Sequence, residues 1–418
     1  MSCWLGMKGW AVSEGKRLVP RLRFPEFRRA EPWKPISLGE ASTPVTERVG
    51  ERKFTPVSIS AGVGFVPQAE KFGRDISGNQ YQRYTLVSDG DFVYNKGNSL
   101  KFPEGCVYLL QDRGEVAAPN VFICFRLRTG FSNGFFQNCF EANAHGKQLK
   151  KHITSGARSN GLLNISKEAF YGVEILTPSS AEQQRIADCL SSVDELIAAQ
   201  ARKVSALKTH KKGLIQHLLP REGETQPSLR FPEFEDAGEW TKKSVGEVFR
   251  VTRGEVLAMP RVNDIHSSQF PYPVYSSQTK NNGLAGYYSE YLYEDSITWT
   301  TDGANAGDVN FRSGKFYCTN VCGVLIDTQG WANAFVAELL NSVTRKYVSY
   351  VGNPKLMNGV MGEIVIPFPG LAEQKRIADC LTSLDNLIAA ANQELEALKT
   401  HKKGLRQQLF PSAKTVEA

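Results

Sequence analysis

The side chains best suited to chemistry lie in turns rich in Gly, Asn and Ser, in two separate stretches of the chain. These turns carry Arg, Lys, Asn and Gln, which can make paired hydrogen bonds with the edges of bases. Neighbouring Ser, Thr and backbone amides suit phosphate groups. Turn geometry alone also favours Gly, Asn and Ser, so this composition makes the residues below candidates for DNA binding and does not by itself establish that role. They are Gln80, Arg83, Lys96, Asn98, Lys101, Arg158, Asn160, Gln278, Lys280, Asn281, Asn305, Asn353, Lys355 and Asn358.

The sequence contains none of the common catalytic motifs. It lacks a G-x-x-x-x-G-K-[ST] phosphate loop, a G-x-G-x-x-G turn after a strand and a G-x-S-x-G nucleophile turn. It also lacks the Asn-Pro-Pro-aromatic tetrapeptide that holds a flipped adenine, and Asn353-Pro354-Lys355 comes nearest. The histidines have no metal-ligand spacing, and the cysteines form no C-x-x-C pair. We therefore expect a chain without a catalytic site, a cofactor or a metal.

Length and composition predict a globular protein of two or more domains. The chain has 418 residues, 41% of them hydrophobic and 22% charged. A net charge of +7 is compatible with a polyanionic partner but does not identify one. The scattered cysteines favour buried thiols in a reducing compartment. No apolar run approaches the roughly 18 residues of a membrane span, so we expect a soluble, cytoplasmic protein without membrane contact.

Two segments of the chain occur twice, in the same order. Residues 22–40, beginning LRFPEF, return as residues 229–247 with the same Trp and closing Gly-Glu. Residues 181–220 return as residues 372–411, with 27 of 40 positions identical. The stretches between the paired segments share little sequence. A repeat of this length is a domain duplication, since solenoid repeats span only about 20 to 50 residues.

The duplication predicts the domain boundaries. Two variable domains alternate with two conserved helices, which gives an α+β fold with internal pseudo-twofold symmetry. Within the first domain, residues 91–94, 106–110 and 121–127 have the pattern of strands. The segments are an N-terminal tail (1–17), the first variable domain (18–178), the first helix (179–220), a linker (221–228), the second variable domain (229–369), the second helix (370–411) and a C-terminal tail (412–418).

Each conserved helix has a heptad pattern of apolar residues, which predicts a coiled coil. We expect the two helices to pair antiparallel within one chain, although pairing between chains stays open. Gly213 and Gly404 interrupt the helical pattern, and a close backbone approach would explain them. The apolar seam consists of Leu190, Val193, Ile197, Val204, Leu207, Leu214, Leu218, Leu381, Leu384, Ile388, Leu395, Leu398, Leu405 and Leu409.

The frame and the helices together resemble the specificity (S) subunits of type I restriction-modification systems. The resemblance rests on LRFPEF with its downstream Trp and Gly-Glu, and on the AEQ-RIA helix starts at Ala181 and Ala372. It also rests on the helix ends KKGLIQHLLP and KKGLRQQLFP. It covers nearly the whole chain, from about Leu18 to Pro411. The second variable domain is closer to the family than the first.

The resemblance implies that the variable domains are target recognition domains and that each recognises one half of a split, asymmetric DNA target. The helices would then form an antiparallel coiled coil that sets the spacer between the half-sites and docks methyltransferase subunits. The implied partners are double-stranded DNA, two methyltransferase (M) subunits and restriction (R) subunits. S-adenosylmethionine, ATP and Mg²⁺ would be bound by those subunits and not by this chain.

Two other functions remain compatible with the sequence. One is a coiled-coil scaffold that assembles proteins without sequence-specific DNA binding. The other is the specificity subunit of an orphan methyltransferase that acts without a nuclease. The duplicated heptads fit all three functions, while the basic and amide-rich loops favour DNA recognition.

Overall fold

The computed structural model describes residues 19–97, 102–153, 163–221, 223–277, 281–327 and 329–411. The chain divides into two compact units. Unit 1 runs up to Ala199 and resumes at Leu395, and unit 2 is Gln200–Glu394. Each unit therefore contains one variable domain together with one part of each long helix. No helix in the described part of the chain has an apolar stretch long enough to cross a membrane.

Unit 1 contains the first variable domain. Its strands are β1 (Lys34–Ser37), β2 (Ser42–Pro44), β3 (Thr55–Ser60), β4 (Gly64–Pro67), β5 (Thr85–Ser88), β6 (Asp91–Asn95), β7 (Cys106–Leu109), β8 (Glu115–Ala118), β9 (Ile123–Leu127) and β10 (Glu174–Thr177). Its short helices are α1 (Leu38–Ala41), α2 (Gln68–Phe72), α3 (Asn133–Glu141), α4 (Gly146–Leu149) and α5 (Lys167–Tyr171). The predicted strands at 91–94, 106–110 and 121–127 correspond to β6, β7 and β9.

The strands of unit 1 form two four-stranded sheets and one two-stranded ribbon. Their orders are β2-β9-β6-β7, β4-β3-β8-β5 and β1-β10. Strand β6 is buried along its whole length because it lies between β9 and β7. The aromatic core behind this sheet includes the stacked rings of Phe92 and Phe125, whose centroids are 5.2 Å apart, and those of Tyr94 and Phe170 at 4.6 Å.

Unit 2 contains the second variable domain. After the first long helix, α6 (Ser180–Leu218), its strands are β11 (Thr241–Ser244), β12 (Arg250–Arg253), β13 (Tyr272–Tyr275), β14 (Leu284–Tyr288), β15 (Tyr293–Thr300), β16 (Val309–Cys318), β17 (Cys322–Ile326) and β18 (Val365–Phe368). Its helices are α7 (Val245–Val248), α8 (Ala334–Val343), α9 (Asn358–Glu363) and the second long helix, α10 (Leu371–Leu409).

The strands of unit 2 form one six-stranded sheet and a second two-stranded ribbon. The sheet order is β12-β17-β15-β16-β13-β14, and the ribbon pairs β11 with β18. All its pairings are antiparallel except that of β13 with β16. Trp299 on the inner strand β15 is buried in the main core of the unit with Phe335 of α8, and its indole N–H donates to the carbonyl of Leu356 (3.1 Å). This sheet differs in strand number and order from both sheets of unit 1.

The two ribbons occupy matching places in the two units. In unit 1, β1 pairs antiparallel with β10, and the capping box of Ser37 and Glu40 begins α1 directly afterwards. In unit 2, β11 pairs with β18, and Ser244 and Glu247 form the same capping box at α7. In both cases the second ribbon strand leads into a long helix. The repeated sequence segments therefore build a repeated local structure.

The long helices pair antiparallel in each unit. In unit 2, Lys211 lies 2.8 Å from the carboxylate of Asp385, and Gln200, earlier in α6, donates to the carbonyl of Ala391, later in α10 (2.9 Å). In unit 1, Asp194 of α6 lies 2.8 Å from Lys402 of α10. There Leu190, earlier in α6, shares a core cluster with Leu409, later in α10. The α+β class, the duplication and the antiparallel helix pairing are thus confirmed.

The glycines inside the long helices are not in close contact with another backbone segment among the described residues. At Gly213 and Gly404, an added β-carbon would meet no heavy atom within 4 Å among the described residues outside the helix's own backbone. The expectation of a close backbone approach is therefore wrong. Both helices continue through the glycine without interruption. An alanine would fit at either position.

The segment between the repeats folds back on the end of α6. Pro220 and Pro227 form an isolated antiparallel bridge, and the amide of Leu229 donates to the carbonyl of His217 (3.0 Å). In unit 1, Leu22 makes the corresponding bond to Gln408 of α10 (3.0 Å). The LRFPEF segments are thereby attached to the ends of the long helices.

Candidate nucleic-acid interface

The frame of each unit is built on a buried carboxylate in the first turn of a long helix. Glu182 accepts hydrogen bonds from Arg23 Nε (2.8 Å) and Nη2 (2.7 Å) and from Trp33 Nε1 (3.3 Å). The side chains of Glu182 and Arg23 are 1% and 8% exposed. Arg23 also donates to the carbonyls of Ala30 and Glu31 and so fixes the LRFPEF turn. Because two donor residues reach the carboxylate, its charge is compensated away from water.

The same arrangement occurs in unit 2. Glu373 accepts from Arg230 Nε (2.8 Å) and Nη2 (2.6 Å) and from Trp240 Nε1 (3.2 Å). The next residue, Gln374, donates to the carbonyl of Pro369 (2.9 Å), as Gln183 does to Pro178 (3.0 Å) in unit 1. In each half of the chain, the LRFPEF, Trp and AEQ segments therefore form the frame that holds the variable domain on its long helix.

The predicted seam residues of the helices are all buried or half-buried. Leu190, Leu218, Leu381 and Leu409 are at most 1% exposed. The half-buried positions are Val193, Ile197, Leu207, Leu214, Ile388, Leu398 and Leu405, and the remaining buried ones are Val204, Leu384 and Leu395. Two polar interruptions of the heptad pattern, Gln200 and Lys211, make hydrogen bonds to α10 within unit 2.

In unit 1, three of the candidate binding residues are described. Gln80 and Arg83 lie exposed on one 3-10 helix, Gly78–Arg83, where the sequence suggested an irregular turn. Lys96 follows β6, and its ammonium donates to the carbonyl of Ile165 (3.2 Å), so it is engaged within the chain. Asn98, Lys101, Arg158 and Asn160 lie outside the described residues.

In unit 2, the candidate loops converge. Asp302 forms a bridge with Lys355, and Gly303 donates to the carbonyl of Pro354 (3.0 Å), so the loops 300–307 and 350–358 contact each other. Asn305 is half-buried in the first loop. In the second loop Asn353 and Lys355 are exposed, Asn358 is half-buried at the start of α9, and Lys355 Nζ lies 3.8 Å from Asp302. Asn281 is exposed with a φ of 51°. Gln278 and Lys280 lie outside the described residues.

Two of these loops border a polar cleft of about 250 Å³ in unit 2. Ser276 and Asn282 line it from one loop, and Thr300 and Asn305 from the other. The six-stranded sheet also lines the cleft, through side chains of β15 and β16. Further lining residues are Gly283, Thr298, Trp299, Asp308, Val309, Asn310, Arg312, Cys322, Asn341 and Arg345.

Arg312 is the buried cation of this cleft. The residue is 8% exposed, and its guanidinium lies over the Tyr275 ring, 3.8 Å from the centroid. Its Nε donates to Thr298 Oγ1 (3.0 Å) and its Nη2 to the carbonyl of Asn282 (2.7 Å). Burial lowers the pKa of Arg312. An arginine starts so far above neutrality that it still carries its charge.

Arg312 was not among the residues chosen from sequence. It lies two residues after Asn310 on β16, so both side chains point to one face of the sheet, and both line the cleft. The sequence shows an arginine in a strand, which is ordinarily a surface residue. The available signal was its position near the start of the strand that follows the candidate loop 300–307, at the spacing that puts it on the same face as Asn310.

The described residues contain no group of three or more His, Cys, Asp or Glu that could hold a metal ion. The described cysteines are free thiols, and all except the half-buried Cys189 and Cys380 are buried. The polar side chains that line the cleft of unit 2 are mainly guanidinium, amide and hydroxyl groups. Such groups bind anions and base edges through hydrogen bonds.

Comparison with known proteins identifies the family. A family model described as "Type I restriction modification DNA specificity domain" matches residues 237–400. A protein of Mycoplasma pneumoniae assigned as the N-terminal part of a type I specificity subunit is 36% identical over 140 residues, which are 33% of this chain and 73% of that protein. The MpnII specificity subunit of the same organism is 34% identical over 146 residues, 34% of this chain and 43% of that subunit.

A solved structure shares the fold over nearly the full length. The crystal structure of a type I restriction-modification S subunit from M. genitalium superposes with a TM-score of 0.62 at 15% identity, covering 94% of this chain and 99% of that one. The likeness at this identity concerns the fold, and the sequence matches above concern the family. The chain therefore belongs to the DNA specificity subunits of type I restriction-modification systems.

Proposed function

We propose that each variable domain recognises one half of an asymmetric, split DNA target. The domains are the target recognition domains 18–178 and 229–369. The observation that carries this proposal is the contrast within the chain: matching frames hold two four-stranded sheets in unit 1 and one six-stranded sheet in unit 2. Two unlike domains recognise two unlike half-sites, since base recognition depends on the side chains that each domain presents. A palindromic target is incompatible with this arrangement.

The DNA contacts of the first domain are assigned to Gln80, Arg83, Lys96, Asn98, Lys101, Arg158 and Asn160. Those of the second domain are assigned to Gln278, Lys280, Asn281, Asn305, Asn353, Lys355 and Asn358. The convergence of loops 300–307 and 350–358 in unit 2 supports the four members on these loops, Asn305, Asn353, Lys355 and Asn358, because a binding surface needs several such loops in one place. Lys96 is the weakest member, since it is bonded to Ile165.

The paired helices set the spacer between the half-sites and dock two methyltransferase subunits. Exposed leucines support a duplicated docking site: Leu196 of α6 is 57% exposed and Leu387 of α10 is 56% exposed, at matching positions of the repeat. An exposed apolar side chain on a helix is available for contact with a partner, and here it recurs at the matching position of the second helix. A partner that binds one of them finds the same feature again on the other helix.

The chain itself is a non-catalytic subunit in this proposal. Restriction subunits and methyltransferase subunits bring S-adenosylmethionine, ATP and Mg²⁺, and the chain contributes double-stranded DNA recognition in the cytoplasm. The absence of catalytic motifs from the sequence supports this division of labour.

The experiment that tests the proposed function is long-read sequencing of methylated adenines in cells with and without this chain. We expect a set of methylated sites that share one split, asymmetric sequence and disappear when the chain is deleted. Methylation that is unchanged by the deletion, or restricted to palindromes, contradicts the proposal. A scaffold without DNA specificity leaves the pattern unaltered.

The spacer has its own test, in which one heptad is removed from α6 and one from α10. Seven residues correspond to about 10 Å of helix, or roughly three base pairs. We expect the gap between the half-sites to shorten while the bases of both half-sites remain unchanged. An unchanged gap with altered half-site bases excludes the helices as the spacer.

A further inference from the structure

We propose that the Arg312 cleft of unit 2 holds a phosphate group of the DNA backbone. This inference rests on the proposed function, which supplies DNA as the partner. It adds a binding site centred on Arg312, a residue of strand β16 and not of the candidate loops. The site consists of Arg312 with the hydroxyl and amide side chains around it.

The first argument is the charge of Arg312. A buried cation is ordinarily compensated by a carboxylate, because transfer from water is otherwise costly. Among the described residues, no salt bridge to Arg312 is present, and its hydrogen bonds go to a hydroxyl and a backbone carbonyl. In unit 1 the buried Arg23 has Glu182 as its partner. Arg312 thus retains positive charge that an incoming anion can compensate.

The second argument is preorganisation. Two hydrogen bonds and the ring of Tyr275 fix the guanidinium plane on the floor of the cleft. A fixed guanidinium binds phosphate oxygens with less loss of side-chain entropy than a free surface arginine. Arg345 at the same cleft is paired with Asp308 (2.8 Å), so the charged groups that line the cleft carry a net positive charge.

The third argument concerns the class of ligand. A flipped base requires aromatic or apolar surfaces on which to stack. The described lining of the cleft is mainly Ser, Thr and Asn, and the one aromatic residue in that described lining, Trp299, is 1% exposed. Nor does a buried arginine project into a groove to contact base edges. Hydroxyl, amide and guanidinium donors around one cavity match the acceptor oxygens of a phosphate.

The test measures DNA binding by the full chain assembled with its methyltransferase subunits, using fluorescence anisotropy between 50 and 200 mM salt. Two duplexes of equal length are compared. One contains the split site that the sequencing of methylated adenines identifies, and the other contains the bases of that site in scrambled order. The variants are Arg312→Gln, Arg312→Lys and, as a matched control, Arg250→Gln. Arg250 is an exposed arginine on β12 of the same unit that does not line the cleft.

We expect Arg312→Gln to weaken binding of both duplexes by the same factor and to reduce the slope of log K against log salt by about 1. Arg312→Lys should retain the slope, since it keeps the charge, with a loss of affinity from the missing guanidinium fork. The control should keep the slope of the unaltered protein. An unchanged slope in Arg312→Gln overturns the proposal, and so does a loss confined to the specific duplex, which indicates base recognition.

A second variant keeps the proposal testable if Arg312→Gln does not fold. Asn310→Asp places a carboxylate two residues from Arg312 on the same face of β16 and gives the guanidinium an internal partner. We expect a folded protein with an equal or higher melting temperature and the same reduced salt slope. A folded Asn310→Asp protein that binds both duplexes normally overturns the proposal.

Two further arms separate the possible sources of failure. Inorganic phosphate and ATP are titrated in a thermal shift assay. If either stabilises the protein through Arg312 while DNA binding is independent of Arg312, the ligand is a free phosphate and the DNA assignment is wrong. If the unaltered complex binds both duplexes equally and Arg312→Gln still lowers the slope, the phosphate site stands and the proposed sequence specificity fails.

Discussion

In unit 1, the pair of Arg23 and Glu182 fixes the LRFPEF turn to the start of α6, and in unit 2 the pair of Arg230 and Glu373 does the same at α10. A second contact, between a lysine of a long helix and a glutamate of a short helix, also matches in the two units. Lys402 lies 3.5 Å from Glu141 of α3, and the equivalent Lys211 lies 3.4 Å from Glu338 of α8. The frame is therefore conserved between the units down to individual hydrogen bonds.

The sheets of the two units differ. Unit 1 has two four-stranded sheets with an aromatic core around the buried His145, and unit 2 has one six-stranded sheet with the buried Arg312 at a polar cleft. Contacts with the long helices constrain the frame, whereas the sheets only have to fit between two ribbon strands. A domain held in this way can change its sheet, and hence its DNA target, without altering the frame.

Of the changes that test the difference between frame and sheets, exchange of a whole variable domain should alter the DNA target most. Replacement of residues 34–178 with the corresponding segment of another specificity subunit should change one half of the target completely and leave the other half unaltered. Both ribbon strands, Lys34–Ser37 and Glu174–Thr177, are exchanged with the domain, and the Arg23–Glu182 pair outside the segment should hold the new domain. Sequencing of methylated adenines measures the outcome, and a change in both halves shows that the domains are not independent.

Removal of the frame carboxylates should have the next largest effect. Glu182→Ala and Glu373→Ala each leave a buried arginine without its carboxylate partner and an indole N–H without an acceptor, which should cost about 3 to 5 kcal/mol. Equivalent frames predict similar losses, measured as the free energy of unfolding in urea. Glu26→Ala and Glu233→Ala are matched controls, because these carboxylates form half-exposed pairs with Arg185 and Arg376 and should have little effect. Strongly unequal losses in the first two variants would break the equivalence of the frames.

We expect a buried histidine, His145, to make the stability of unit 1 dependent on pH. Burial lowers the pKa of His145 from 6.5 to about 4, and neither ring nitrogen has a hydrogen-bond partner among the described residues. As the pH falls, the unfolded chain is protonated before the folded one. Stability present above pH 6.5 is therefore lost progressively down to about pH 4, by at most about 3 kcal/mol.

The measurement is the free energy of unfolding between pH 4 and 7. His145→Phe should remove this part of the pH dependence, because phenylalanine does not titrate. Phe136→Leu serves as the control: its ring lies in the same core and packs on Phe131, with centroids 5.7 Å apart, so the variant should be less stable at every pH with an unchanged profile. A His145→Phe profile identical to that of the unaltered protein would show that His145 does not carry the effect.

The parts of the fold that the sequence predicted are the local and repeated ones. The heptads gave the two long helices, because the 3.6-residue period is visible along the chain. The duplicated LRFPEF, Trp and AEQ segments indicated a common frame, although not that Glu182 accepts from both Arg23 and Trp33. Strands β6, β7 and β9 were recognisable by composition. Their order in the sheets was not, since pairing depends on contacts between distant residues.

The candidate binding site was predictable only in part, for a related reason. The loops of unit 2 were chosen from composition, and their convergence depends on the bridge between Asp302 and Lys355, which no sequence pattern shows. Arg312 was missed because its burial results from the meeting of the sheet with loop residue Asn282. Lys96 was chosen as a loop residue, although the fold uses its ammonium to hold Ile165. Composition predicts which side chains are available, and tertiary contacts decide which of them remain free to bind.

The smallest expected effect concerns the lysines that interrupt the heptad seam. Lys402 contacts Asp194 and Lys211 contacts Asp385, both at 2.8 Å, with half-exposed carboxylates. Lys211→Met and Lys402→Met lose these ion pairs but add an apolar side chain to the seam, so we expect changes below about 1 kcal/mol and equal in the two variants. The exposed neighbours Lys212 and Lys403, changed to Met, are the matched controls, measured by urea unfolding. Because the two contacts have the same geometry, a large effect in one lysine variant alone would show that the helix pairing differs between the units, even though the frame is shared.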